Sequence, residues 1–369
     1  MEWAKGDKNI KSTEMTLEDL GYNDWFEKIR IENNPGNLEI GRIITEHKER
    51  YIVKTIQGEF EAEMTGHMRF TAKSREDFPA VGDWVFMTTY DADFALIHSI
   101  FPRFSVIKRQ AAGQSGEIQL IAANINFAFL VQAADRDFNI NRLERYLTIC
   151  NASKVKPIII LSKIDLTDEP RMNEILERIK TRIQNVPVVA ISNETQIGYE
   201  AINLLIEKGK TYCMLGSSGV GKSTLLNNLS GKTSMRTDTI SNSTNKGRHV
   251  TSHRSLVILE NGGILIDNPG MREVGITDAT GGLEITFDLI FRLSQNCKFK
   301  DCTHTFEPGC AVLEAVEKDE TDKASYENYL KMEREKKHFE STLAEKRKKD
   351  KEFGKILKEY KKDLNKNKY

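Results

Sequence analysis

The segment Gly216-Ser217-Ser218-Gly219-Val220-Gly221-Lys222-Ser223 has the spacing GxxxxGK[ST], and it lies between an apolar run, Thr211 to Leu215, and a helix-like stretch from Ser223 to Leu229. Glycines at these places let successive backbone N–H groups turn inward around phosphate oxygens, and the helix N-terminus that follows adds partial positive charge. Lys222 can then reach the outer phosphates and Ser223 can ligate Mg²⁺, with Thr224 in the same turn. Downstream, the apolar run Ile264-Leu265-Ile266 ends in Asp267-Asn268-Pro269-Gly270. A carboxylate there can support the metal, and the Gly270 N–H can face a γ-phosphate.

Two further segments carry the chemistry of base selection. The run Lys156 to Leu161 ends in Ser162-Lys163-Ile164-Asp165, close to the guanine-reading pattern Asn-Lys-x-Asp. A carboxylate at Asp165 can accept from guanine N1–H and the 2-amino group, a donor pair that adenine lacks, while the aliphatic stem of Lys163 can cover the ring. Ser162 stands where Asn is usual, which predicts weaker bracing and N7 contact. The next run ends in Ile191-Ser192-Asn193, where a backbone N–H can meet guanine O6; Asn193 replaces a smaller residue. Both base motifs precede the phosphate loop, whereas a Ras-like chain places them after it. A circularly permuted domain assembles the same site.

A separate cluster, Cys297-x4-Cys302-x-His304-x5-Cys310, offers three thiolates and an imidazole within a short span. Four such ligands make a closed tetrahedral Zn²⁺ site with no position left for substrate, so the expected zinc is structural.

The elements needed to hold these groups are legible in the hydrophobic pattern. From Phe127 onward, buried-strand runs alternate with amphipathic helices, which predicts a mostly parallel sheet covered on both faces, with ligands at the carboxyl ends of its strands. Between residues 38 and 110, short β-like runs separated by Gly, Asp and polar turns predict a small five-stranded barrel of the OB-fold type. One short helix is expected over Leu17 to Ile31, with Leu17, Leu20, Trp25, Phe26 and Ile29 as its apolar stripe. The expected organisation is an extension (1–37), the barrel (38–110), the permuted α/β domain (111–285), and a zinc-binding helical domain with a basic tail (286–369). Lys+Arg and Asp+Glu both number 54, so global charge provides no attraction to nucleic acid or an anionic membrane. Local patches must do so, such as the tail 331–369 with a net charge of about +7. No run is long and apolar enough to span a bilayer, and three of the five cysteines crowd into the metal cluster. A cytoplasmic, soluble monomer is expected, with no membrane partner.

With barrel, permuted nucleotide domain and zinc cluster in this order, the chain resembles the ribosome small-subunit-dependent GTPase A family (RsgA, also called YjeQ or YloQ). Val81-Gly82-Asp83-Trp84-Val85, Pro102-Arg103, Lys246-Gly247-Arg248-His249 and Asp267-Asn268-Pro269-Gly270 support the resemblance. Departures are Ser162, Asn193, Val250 in the usual Gly-Arg-His-Thr-Thr-Thr, and Asn126 where Asp often follows Ala-Asn. The resemblance implies hydrolysis of GTP to GDP and phosphate with Mg²⁺, stimulation by the small ribosomal subunit, contact with its rRNA, and a role in late subunit maturation. Met271 cannot orient water where a Ras-like enzyme has Gln. The family's histidine corresponds to His249, expected with Lys222 to serve catalysis; Thr251 becomes the switch threonine for Mg²⁺ because Val250 cannot coordinate. The rival readings are a nucleotide-independent rRNA-binding scaffold with a decayed GTPase, and a GTPase acting on another RNA or a membrane.

Overall fold

The computed structural model describes residues 15–33, 36, 38–47, 50–91, 93–110, 118–135, 137–231, 254–267, 281–341, 345 and 348. Near the N-terminus, a single helix over Leu17 to Ile31 is not what forms. Gly21 adopts φ 84°, ending a 3-10 turn (Glu18–Leu20), and α1 (Asp24–Asn33) starts afresh. The side-chain oxygen of Asn23 accepts the backbone N–H groups of Trp25 and Phe26, satisfying donors that a new helix leaves open.

The barrel consists of β1 (Glu39–His47), β2 (Arg50–Lys54), β3 (Glu59–Met64), β4 (Trp84–Thr89) and β5 (Phe94–Ile100), with the short α2 (Gly66–Thr71) after β3. Its order is β1-β2-β3-β5-β4, closed by a β1–β4 pairing. Alternation along the strands sends Ile43, Val53, Phe60, Val85, Met87 and Ile97 into the barrel. Trp84 and Phe86 therefore leave on the opposite face, where Leu20, Tyr22, Phe26 and Ile29 of the N-terminal segment cover them together with Phe101.

A two-stranded ribbon, β6 (Val106–Gln110) with β7 (Ile118–Ala123), leads to the nucleotide-type sheet. There β8 (Phe127–Ala133), α3 (Ile140–Ala152), β9 (Lys156–Ser162), α4 (Glu169–Arg182), β10 (Val188–Ala190), α5 (Tyr199–Leu205), β11 (Thr211–Leu215), α6 (Lys222–Ser230), β12 (Arg254–Ile258) and β13 (Ile264–Asp267) follow in turn. The order is β10-β9-β8-β11-β13-β12, parallel except for β12. Leu143, Leu147, Ile175 and Ile179 place α3 and α4 on one face, against Ala128 and Leu130. Tyr199, Ile202, Leu225 and Leu226 place α5 and α6 on the other, against Phe129 and Val131. The fold is thus the expected α/β class. β12 pairs with β1 through Thr45↔Ser255 and Glu46↔Arg254, so barrel and α/β region share one continuous sheet.

Beyond them come α7 (Gly282–Thr286), α8 (Asp288–Ser294), α9 (Ala311–Glu317) and α10 (323–341). Arg145 on α3 grips Glu335 on α10 with two bonds, 2.6 and 2.7 Å. The neighbouring Glu144 accepts from Arg182, Asn328 and Ser325.

Two strings that supported the resemblance are explained by the barrel's inner wiring. Asp83 and Arg103 form a two-point ion pair of 2.8 and 2.6 Å, and Arg103 also donates to the carbonyls of Glu76 and Phe78. Gly82 has φ +95°, and a Cβ there would sit 2.2 Å from the carbonyl oxygen of Ala123. Gly82→Ala should therefore lose about 1–2 kcal/mol to left-handed backbone strain and about 1–3 kcal/mol to overpacking. Urea unfolding of the variant, with a clearly lower midpoint, is the expected observation.

Candidate nucleotide-binding site and metal centre

The phosphate loop leaves the carboxyl end of β11, the strand flanked by β8 and β13. Gly216 presses so closely on β8 that a Cβ would lie 2.4 Å from the Val131 carbonyl oxygen. Gly219 and Gly221 adopt φ +82° and +90°, backbone that a side chain would strain. Lys222 opens α6 and curls back over its own loop, its ammonium donating to the carbonyls of Gly216 (2.8 Å) and Ser217 (2.6 Å). Burial pulls its pKa down to about 8, and the carboxylate of Asp267 opposes that shift. Ser218, Gly219 and Ser223 are exposed, Ser217 and Thr224 half-buried, and Val220 buried in the core under the loop.

The base motifs arrive from the same sheet edge. Ser162 ends β9, fully buried, and its hydroxyl donates to the Val220 carbonyl at 2.7 Å. The departure from Asn therefore still ties this strand end to the phosphate loop. Lys163 sits in left-handed backbone, φ 60°, with its ammonium 3.6 Å from Asp135. Ile164 and Asp165 form the following 3-10 turn; the Ile164 N–H donates to the Ile191 carbonyl, linking the two base loops, and Asp165 is exposed. Ser192 is buried and Asn193 half-buried, the latter's side-chain amide donating to the Gly221 carbonyl at 3.0 Å. Asp267 ends β13 beside this group. Ser162, Asn193, Gly216–Thr224 and Asp267 thus converge on one edge. His249, Thr251 and Gly270 lie outside the described residues, as do Arg248, Val250 and Met271.

Sequence motifs do not disclose Arg142, whose guanidinium donates to the Ser217 hydroxyl at 3.0 Å. The only available signal was topological, since it lies in the first turn of the helix after β8, the strand beside β11.

The second centre lies between α8 and α9. The ligand atoms of Cys297, Cys302, His304 and Cys310 all fall within 4.8 Å of one another. Cys297 Sγ lies 3.9 Å from Cys310 Sγ and 3.6 Å from His304 Nδ1, which is 3.5 Å from Cys310 Sγ. Zn–S bonds of about 2.3 Å in a tetrahedron separate sulfurs by roughly 3.8 Å, so the spacing fits a structural Zn²⁺. Tyr326 on α10 donates to the His304 carbonyl at 2.6 Å, and Cys310 Sγ accepts the Leu313 N–H at the start of α9. The cluster therefore pins short helices that bury only a small core of their own.

A family model described as RsgA GTPase matches residues 100–277. Another, described as ABC transporter, matches 199–368 and overlaps the first on the phosphate loop, a grip that many nucleotide-hydrolysing folds share. None of the described helices is long and apolar enough to cross a membrane. "Small ribosomal subunit biogenesis GTPase RsgA 1" of Oceanobacillus iheyensis is 40% identical over 303 residues, 81% of this chain and 86% of that relative. The crystal structure of YjeQ from Thermotoga maritima matches with a TM-score of 0.59 at 25% identity, covering 82% of this chain and 98% of its own. That of YloQ, described as a circularly permuted GTPase, matches with 0.58 at 26% identity, covering 82% and 96%. With base loops preceding the phosphate loop in the chain yet meeting it on one sheet edge, and with relatives of this closeness, the chain belongs to the RsgA family of circularly permuted GTPases.

Proposed function

We propose that this protein hydrolyses GTP to GDP and phosphate with Mg²⁺, that the small ribosomal subunit stimulates the reaction, and that it serves late maturation of that subunit. The observation that carries this reading is the convergence of the phosphate loop, Asp267 and both base loops at the carboxyl ends of strands in one parallel sheet. The names of the curated relatives supply the ribosomal partner.

In this reading the N–H groups of Gly216 to Thr224 and the Lys222 ammonium hold phosphate charge, with Gly270 reaching the γ-phosphate. Lys163 and Asp165 select guanine, with Ile164 between them and Ser162 bracing them, while Ser192 and Asn193 meet its carbonyl. Ser223, Asp267 and Thr251 would hold Mg²⁺, directly or through water, and the ion would supply charge neutralisation for the outer phosphates. The site fits that ion because an oxygen-bearing hydroxyl opens α6 and a carboxylate ends β13 close enough to act on Lys222. His249 positions the attacking water.

Exposed aromatic side chains at two places suit contact with rRNA, whose unpaired bases stack on aromatic faces. On the barrel, Phe70 is 91% exposed on α2 next to Arg69. By the zinc cluster, Phe306 is 83% exposed, and the Lys298 ammonium lies 5.5 Å from the centre of the Phe299 ring. Of the two departures that favour the decayed-GTPase scaffold, Ser162 still ties its strand end to the phosphate loop, and Met271 lies outside the described residues.

Purified protein should hydrolyse GTP faster with small subunits than alone, with little response to large subunits or with ATP. His249→Ala should lose about 100-fold or more of the stimulated rate while still binding GTP, the scale of a positioned acid–base group. Full stimulation in the variant would remove His249 from catalysis, and tight GTP binding with no subunit response would refute the ribosomal assignment.

The low pKa of Lys222 gives a pH signature. Bound phosphate favours the charged ammonium and raises a pKa that is about 8 without it, so binding takes up a proton only above that pH. Mg²⁺-free GDP affinity should be insensitive to this group below pH 8 and then fall, by up to tenfold per unit, as pH rises through it. Titration calorimetry from pH 6.5 to 9 reads this, with Lys222→Met weak and lacking that decline.

A further inference from the structure

We infer that Asn193 is a positioning residue for guanine selection: its side-chain amide ties the base-reading turn to the phosphate loop and so fixes the Asn193 backbone N–H, the donor that the base would meet. This inference rests on the GTP reading above and specifies how its base site is held.

Hydrogen bonds within the turn occupy the N–H groups on either side of that donor. The Ser192 N–H donates to the Ile197 carbonyl at 3.1 Å, and the Ser192 hydroxyl accepts the N–H groups of Glu194 and Thr195 at 3.2 and 3.1 Å. From 192 to 195, only the Asn193 N–H has no acceptor among the described residues. A donor left in that state next to a nucleotide loop suits the guanine O6, an acceptor. It opposes adenine, whose amino group at the same place is also a donor.

Every other polar element of Asn193 is held. Its Nδ2 donates to the Gly221 carbonyl at 3.0 Å, and its Oδ1 accepts from the Tyr199 hydroxyl at 2.9 Å. Its backbone carbonyl accepts from Asn228 Nδ2 at 3.0 Å, and Asn228 also donates to the Tyr199 hydroxyl at 2.9 Å. Asn228 lies on α6, directly behind the phosphate loop. The contact is close enough that a Cβ on Gly221 would lie 2.4 Å from Asn193 Nδ2. Because Ser162 takes the preceding carbonyl, that of Val220, consecutive carbonyls of the phosphate loop are gripped by the two base loops in turn. A small residue at 193 would leave Gly221 and Tyr199 without these partners, and the turn would be free to shift relative to the phosphates.

The test is equilibrium binding of GDP, ADP and pyrophosphate to the full-length wild type, Asn193→Ala and Tyr199→Phe. Asn193→Ala should weaken GDP about tenfold, the scale of one or two net hydrogen bonds, while ADP and pyrophosphate change less than about twofold. The GDP/ADP preference then falls with the phosphate grip intact. Tyr199→Phe keeps the bond to Gly221 but frees Oδ1, and should lower the preference by about threefold; it also serves if the alanine variant does not fold. Unchanged preference in the folded variants, or pyrophosphate weakening in step with GDP, would overturn the inference, the latter showing that Asn193 only supports the phosphate loop. A wild type without preference for GDP over ADP would instead refute the guanine reading itself.

Discussion

A single buried guanidinium ties the N-terminal segment, the barrel, the ribbon and the α/β sheet to one another. Arg42, 1% exposed on β1, donates to the Leu20 carbonyl of the N-terminal segment, the Gly82 carbonyl of the barrel, the Asn124 carbonyl after the ribbon, and the Thr211 hydroxyl at the start of β11. A charge so far from water is tolerated only where acceptors replace the lost hydration, and here each acceptor belongs to a different segment. Displacing any one of them would leave a buried cation short of a partner. The β1–β12 pairing adds a backbone seam to this node. The barrel is thereby held in fixed relation to the strand that carries the phosphate loop.

From Thr211 the same strand runs only to Leu215 before the loop begins, so the Arg42 node and the candidate nucleotide site are opposite ends of one short β11. On either side, β9 and β10 deliver the base loops and β13 delivers Asp267. A parallel sheet gathers strand ends by lateral neighbours rather than by chain order, which is why a permuted chain can build the same edge. Permutation does change what leaves the edge. After β13 the chain passes on toward the zinc-pinned helices, and α10 returns to grip α3 through Arg145 and Glu335. Arg142, one turn earlier on α3, touches Ser217, so one helix contacts both the phosphate loop and the C-terminal region.

Short-range geometry was legible in the sequence: the glycine-rich turn between β11 and α6 and the Cys3His cluster are each defined by spacing within a few residues of chain, and alternation of runs disclosed both the barrel and the α/β sheet. Partnerships between distant segments were not. The helix expected over Leu17 to Ile31 breaks at Gly21 because the segment must bend to cover Trp84 and Phe86, a demand set by the opposite face of β4. Ser162 looked like a loss relative to Asn until the Val220 carbonyl appeared 2.7 Å from its hydroxyl. Asn193 in the sequence is only a larger residue where a smaller one is usual, yet its side chain bridges two loops separated by 28 positions. Gly82 stands in a string visible in the sequence, but its reason, the Ala123 carbonyl against it, comes from the end of β7.

The central claim, that this permuted edge is a guanine site, is tested most directly by changing Asp165, the group that would accept from the base. A carboxylate accepts from guanine N1–H and the 2-amino group, whereas an amide at that position presents a donor suited to the 2-oxo group of xanthine. Measured by nucleotide binding, Asp165→Asn should weaken GTP and strengthen XTP, inverting the wild-type order. An Asp165→Asn protein that binds GTP as tightly as wild type and gains nothing for XTP would contradict the claim.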